Sequence, residues 1–316
     1  MSTILGIISI TLLYSAPLIF TALGGVISEN GGVVNIGLEG MMTIGAIVGA
    51  TIGFYTGNPW LAFLCGGLGG MALSLFHAVV TINFQADHVV SGIAINLIGP
   101  GLSLFLCRIF FDGAAMSKSI PFQNKLPQLF AGVFTKEMIA NYPWMRYLKV
   151  LFQQYVIVYI AFAFVAIMWY LLYRTKLGLR IRAVGEHPRA AETLGINAYR
   201  IKYFCVLASG FLAGLGGASM SLAIVSNYRQ TLISGQGFIA LAAVIFGNWK
   251  PQGAFVACLV FGAAQGLSVI LGNLGIKLDT NLLSMLPYVI TLLALILFVK
   301  SSNAPSADGI PYQRHN

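Results

Sequence analysis

Charge is what this chain has least of. Asp, Glu, Lys and Arg make up only 9% of its 316 residues, against about 25% in an ordinary soluble domain. So little charge cannot cover a water-exposed surface of this size, which excludes a soluble enzyme. Basic residues are also missing in a block: the first 107 positions hold no Lys or Arg, although the chain carries 18 basic against 9 acidic residues. A nucleic-acid binder concentrates basic residues on one face, and this distribution excludes nucleic acid as a partner. Cysteine is scarce too. Cys65, Cys107, Cys205 and Cys258 each sit inside an apolar run and form no CxxC pair, so they read as buried packing, not as a disulfide framework or a zinc site. Residues 1–27 lack the basic start and the A-x-A-like site of a cleaved signal peptide, and read as a first membrane span. No phosphate-cradling G-x-x-x-x-G-K-[ST], nucleophile elbow or zinc-protease motif occurs. An ATP-driven process would therefore place the nucleotide on another chain.

What is present is apolar. Residues of that class make up 58% of the chain, about 183 positions, enough for at most about nine spans of about 20 residues each. The expected fold is all-α, a polytopic transmembrane helical bundle of about eight to ten spans in the cytoplasmic membrane. Apolar runs fall near 4–24, 41–56, 60–82, 92–111, 153–173, 203–225, 237–247, 253–272 and 284–300. The run at 237–247 is too short to cross about 30 Å as a straight helix, so a tilted, broken or re-entrant element is expected there. A polar break is expected at 24–40.

Two hydrophilic insertions separate by charge density. Residues 174–202 carry Arg174, Lys176, Arg180, Arg182, Arg189, Arg200 and Lys202, whereas 112–152 spreads five basic residues over a longer stretch with Tyr142, Trp144 and Tyr147 as interface anchors. The positive-inside rule puts 174–202 in the cytoplasm and 112–152 outside. Counting onward places the 301–316 tail in the cytoplasm, behind a single transmembrane domain over 1–300.

Within the cytoplasmic loop, Pro188 suits a first helical turn and Gly195 a helix end, which predicts a two-turn helix of about seven residues. A helix that short is marginal in water and needs its flanking spans or a partner; a docking element and an ordinary basic loop both fit. A second segment, Ser28 to Met42, contains Glu29, Asn30, Asn35 and Glu39 among glycines. Such groups beside spans are costly unless they face protein or a water-filled path, so a polar hinge lining a pathway and a plain aqueous loop are the two readings. Ser91 belongs to the short polar break at 85–92. Asn96, inside an apolar run, needs a partner, which interhelical bonding or solute could supply.

Small residues recur every four positions at Gly45/Gly49/Gly53, Gly210/Gly214/Ala218 and Gly262/Gly266, the pattern of close helix packing in a bundle or a subunit interface. Residues 63–70 (FLCGGLGG) are similar to 211–217 (FLAGLGG), and each continues to a Ser-Leu, at Ser74 and Ser221. That similarity hints at an internal two-fold repeat, common in transporters.

Four ordered stretches then resemble one family. The string Gly185, Glu186, His187, Pro188, Arg189, Ala190, Ala191, Glu192, Thr193, Leu194, Gly195, Ile196 looks like the ATPase-contacting loop of permease subunits in the branched-chain amino acid, simple sugar and nucleoside group of ABC importers. Residues 31–40 (GGVVNIGLEG), 237–243 with 245–251, and Leu286-Pro287-Tyr288 are similar to that family's pattern in the same order. The resemblance runs from about residue 15 to 300 and leaves 112–152 unmatched. It implies that 185–196 couples to a cytoplasmic ATPase, which holds ATP and Mg, while this chain binds no cofactor and performs no catalysis. It also implies a second, homologous permease subunit in a heterodimer and an external substrate-binding lipoprotein. Glu29, Asn30, Asn35, Glu39, Ser91 and Asn96 are then the candidates for the translocation pathway. The run 29–42 looks closest to the nucleoside branch, so a neutral solute, a purine nucleoside, is the expected cargo; simple sugars and branched-chain amino acids are the alternatives. A stand-alone secondary carrier is a different class of answer and would need intramembrane ionisable groups, which the spans hold sparsely.

Overall fold

The computed structural model describes residues 2–130, 144–273 and 304–313, with positions 133, 134, 139, 142, 285 and 289 standing alone between them. The Leu286-Pro287-Tyr288 stretch and most of the 284–300 run lie outside the described residues. Eleven α-helices carry the described fold: α1 (Ser2–Asn30), α2 (Leu38–Thr56), α3 (Pro59–Ala78), α4 (His88–Phe110), α5 (Met145–Phe152), α6 (Val156–Arg174), α7 (Lys176–Glu186), α8 (Pro188–Thr193), α9 (Ala198–Ser219), α10 (Gln236–Phe246) and α11 (Pro251–Asn273). The α3 and α9 helices each end in a π-helical turn, at Val79–Asn83 and Met220–Ile224. Seven of these segments are long and apolar enough to cross a membrane among the described residues, as expected of a polytopic all-α bundle.

Sequence features account for the ends. Asn58 accepts from the N–H groups of Trp60 and Leu61 and Pro59 fills the first position of α3, while Asp87 accepts from Val89 and Val90 to start α4. The polar break at 85–91 is thus partly a helix cap. Two expectations need correction. The 24–40 break is narrower than expected, because α1 continues to Asn30 and only 31–37 leaves the helix. Gly24 and Gly25 sit there because Ser209 and Val244 pass so close that a Cβ would meet either at 2.7 Å. Of the tilted, broken or re-entrant forms expected for 237–247, only the broken one is set aside, because the run is a continuous short helix, α10, bounded by Gly235 and Gly247.

The small-residue ladders mesh with one another. Gly45, Gly49 and Gly53 on α2 face Gly214 and Ala218 on α9 and Leu222 in its π-helical turn, in parallel register. Gly66 and Gly70 on α3 face Gly214 and Gly210 in antiparallel register, so the two similar strings touch, Gly66 against Gly214. Gly262 and Gly266 on α11 receive Ser15 and Thr11 of α1. A bundle without a hydrophobic driving force between its helices is held by this kind of close backbone approach.

The bundle has two distinguishable ends. At one end, residues 117–120 pair with the segment after α9, Ser117 N–H to Tyr228 O at 3.0 Å and Ile120 N–H to Ser226 O at 2.8 Å. Helix α5, amphipathic and not foreseen in the sequence, follows within the same insertion; Tyr142, Trp144 and Tyr147 are exposed around it. The other end gathers the C-terminus of α1, the α7–α8 pair, the start of α9, the 247–250 turn and the tail.

Candidate functional site

Helix α8 stands at that second end. His187 leaves the helical region, Pro188 occupies the first turn, and Gly195, at φ +80, ends the helix while donating to Glu192 O at 2.9 Å. The six-residue helix is close to the seven expected. Ala191 is buried with Val184 and Ala198, whereas Leu194 is 80% exposed. One face is therefore held by the bundle and the other is presented outward. The junction behind it is tightly packed: Gly185 lies so near the end of α1 that a Cβ would sit 2.1 Å from Asn30 O. A depression of about 520 Å³ lies beside α8, lined by Arg189, Glu192, Gly195 and Tyr312 among others.

The polar residues around the helix break are joined to partners far away in sequence. Glu29, 3% exposed, accepts from the indole N–H of Trp249. Asn30 donates to Val26 O at 2.8 Å and to Trp249 O at 2.9 Å. Lys202 donates to Gly32 O at 3.2 Å. Asn35, fully buried, donates to Ser209 Oγ at 2.8 Å. Asn96 brackets the other flank, donating to Ile36 O and accepting from Gly40 N–H, each at 2.9 Å. Ser91 meets His77 Nδ1 at 2.8 Å, and His77 Nε2 lies 3.1 Å from Val34 O.

Glu39 is tied elsewhere. Its carboxylate accepts from Gly235 N–H at 2.5 Å and Gly237 N–H at 2.6 Å, at the N-terminus of α10. A carboxylate there satisfies donors that have no intrahelical acceptor and complements the helix dipole.

All six predicted pathway residues thus border one region, the 31–37 break and its flanks. In this conformation they fasten the break to α1, α3, α4, α9 and the ends of α10. Glu29 Oε1 and Asn35 Oδ1 are buried without a hydrogen-bond partner. Reading the sequence alone missed His77, Lys202, Ser209 and Trp249, which complete the network. A buried-histidine signal at position 77, in a span otherwise free of ionisable groups, was available; the others depend on tertiary contacts.

An all-α bundle with an outward-facing two-turn helix at one end and a stitched helix break beneath it defines a permease-type membrane protein. The chain belongs to the family described as branched-chain amino acid transport system / permease component, whose model matches residues 7–295. It is 43% identical over 315 residues to the nucleoside ABC transporter permease protein NupC of Lactococcus lactis, covering 97% of this chain and 96% of that protein. It is 43% identical over 318 residues to the guanosine ABC transporter permease protein NupQ of Bacillus subtilis, with the same coverage of 97% and 96%. It is also 27% identical over 264 residues to a second Lactococcus lactis protein, the nucleoside ABC transporter permease protein NupB, covering 81% of this chain and 70% of NupB.

Proposed function

We propose that this chain is a translocating permease subunit of a binding-protein-dependent ABC importer for nucleosides, with purine nucleosides as cargo. The observation that carries the reading is near full-length likeness to NupC and NupQ at 43% identity. The likeness to NupB, weaker and in the same organism as NupC, supports a heterodimer of two related permeases.

In this reading the α7–α8 end is cytoplasmic, with the tail, and 112–152 lies outside, where a substrate-binding lipoprotein delivers solute. Residues 185–196 dock on an ATP-binding subunit that holds ATP and Mg; this chain contributes no catalytic group. The tight contact of Gly185 with the end of α1 supports a lever, because displacement of α8 then moves the helix break. Only a contact that differs between two states can bias their equilibrium.

The pathway follows the break. The neutral hydrogen bonds of Asn35, Asn96 and Ser91 each have a modest net worth, about 0.5–1.5 kcal/mol, so exchanging them for bonds to a neutral heterocycle and its ribose hydroxyls is energetically feasible. Asn35, Asn96, Ser91 and Glu39 supply amide, hydroxyl and carboxylate groups suited to that exchange, with Glu29 and Asn30 at the cytoplasmic side.

The test is competition for uptake in membrane vesicles holding this chain with its partner subunits. Labelled guanosine should enter with ATP and be displaced by inosine, and not by ribose, glucose or leucine. Uptake of ribose or leucine in place of guanosine would overturn the substrate assignment.

A further inference from the structure

We propose that the C-terminal segment 304–313 is a positioning strap of the coupling apparatus, holding α8 and the helix break at 31–34 as one moving body. The proposal rests on the coupling assignment above and concerns residues to which that assignment gave no role.

The segment is built into the bundle end at three places. Ala307, 8% exposed, donates its N–H to Gly185 O at 2.9 Å, at the point where α7 presses on α1. The Ser306 N–H and hydroxyl both donate to Glu186 Oε2, at 3.1 and 2.7 Å. The Tyr312 hydroxyl donates to Glu192 Oε2 at 2.8 Å, in the last turn of α8, while its carbonyl accepts from Tyr199 of α9 at 3.4 Å.

The same segment touches the break. A Cβ at Gly32 would lie 3.4 Å from both Ala307 O and Gly185 Cα, so tail, coupling loop and break meet in van der Waals contact. A Cβ at Gly309 would lie 3.2 Å from Val34 Cγ2. Lys202, whose Nζ donates to Gly32 O, interacts electrostatically with Asp308.

A helix of six residues cannot hold its own geometry in water. Gly185 anchors the entry to α8, and Tyr312, packed on Val184, Ala191 and Ala198, anchors its exit. Without the tail, a push on α8 would be absorbed by local rearrangement and would reach the break only in part. The strap makes the force path two-sided.

The experiment measures ATP hydrolysed per guanosine taken up in proteoliposomes of the full complex. A chain truncated after Asn303 should lose uptake at least tenfold while ATP hydrolysis continues, so the ratio rises steeply. The double variant Ser306→Ala/Tyr312→Phe, which keeps the chain intact, should raise the ratio at least threefold. In Glu186→Cys/Ser306→Cys, bridging the thiols with a short reducible bis-thiosulfonate should leave uptake within twofold of the same protein after reduction. An unchanged ratio in the double variant, or uptake blocked by the bridge and restored by reductant, would overturn the strap. Failure of the permease reading shows separately, as absence of ATP-driven uptake by the native complex.

Discussion

Glu39, in the first turn of α2, caps the short helix α10 through the backbone of Gly237 at 2.6 Å, across 198 residues of sequence. The bond joins two elements that flank the helix break from opposite sides. It also explains how an 11-residue apolar helix starts inside the bundle with its N-terminal donors satisfied.

Replacing Glu39 therefore acts on stability as well as transport. Glu39→Ala leaves two N–H groups short of their acceptor and should cost about 2–4 kcal/mol, with Glu39→Gln losing roughly half that. Thermal unfolding in detergent checks the order: wild type above Gln, Gln above Ala. Equal midpoints for all three would show that the cap contributes nothing.

The ladder between α2 and α9 predicts a sharp contrast between two glycines. A Cβ at Gly217 would lie 1.8 Å from Met42 O, whereas Gly101 has nothing within 4 Å. Gly217→Ala should destabilise by about 1–3 kcal/mol through overpacking. Gly101→Ala should be neutral or raise the melting midpoint, since alanine is the better helix former by up to about 1 kcal/mol.

Gly195 sets the end of α8 at a positive φ. Gly195→Ala should cost about 1 kcal/mol at that residue and lower ATP-driven uptake a few-fold at normal membrane level. Gly195→Pro cannot reach the conformation and also loses the N–H to Glu192, and should abolish uptake. Unchanged uptake in the proline variant would sink the coupling assignment.

Docking of the tail should depend on pH. Burial raises the Asp308 carboxyl to about 7, with Lys202 pulling it down, and Glu29 is the like-charged neighbour. A released tail returns Asp308 to about 3.9. The docked form then binds more proton between those values, so docking is strongest on the acid side and weakens as pH rises toward 7. Amide exchange over 304–313, corrected for its intrinsic rate, should report more opening at pH 8 than at pH 5.5. Asp308→Asn should flatten the trend, and tighter docking at pH 8 would contradict it.

The spans were legible because long apolar runs have few alternatives, and Pro188 with Gly195 marked α8 to within a residue. The end of α1 was not. Gly24, Gly25, Glu29 and Asn30 look like a loop by composition, yet Ser209, Val244 and Trp249 supply the contacts that keep them helical. Those partners lie far along the chain, up to 220 residues away, and leave no local trace. The polar residues of the break were identifiable as a group, since each is costly at membrane depth. Which bonds they make was not, because that depends on which helix arrives opposite. The tail gave no signal at all: Ser306 and Tyr312 are ordinary in sequence and matter only through Glu186 and Glu192.

The central claim is that this chain couples ATP hydrolysis on a partner to entry of a nucleoside. Reconstitution tests it most directly, with this chain, a second permease, the ATP-binding subunit and the binding protein in proteoliposomes, and ATP on the cytoplasmic face only. The account predicts concentrative guanosine accumulation that needs ATP and every subunit. Gradient-driven flux of guanosine through this chain alone, unaffected by ATP, would contradict it.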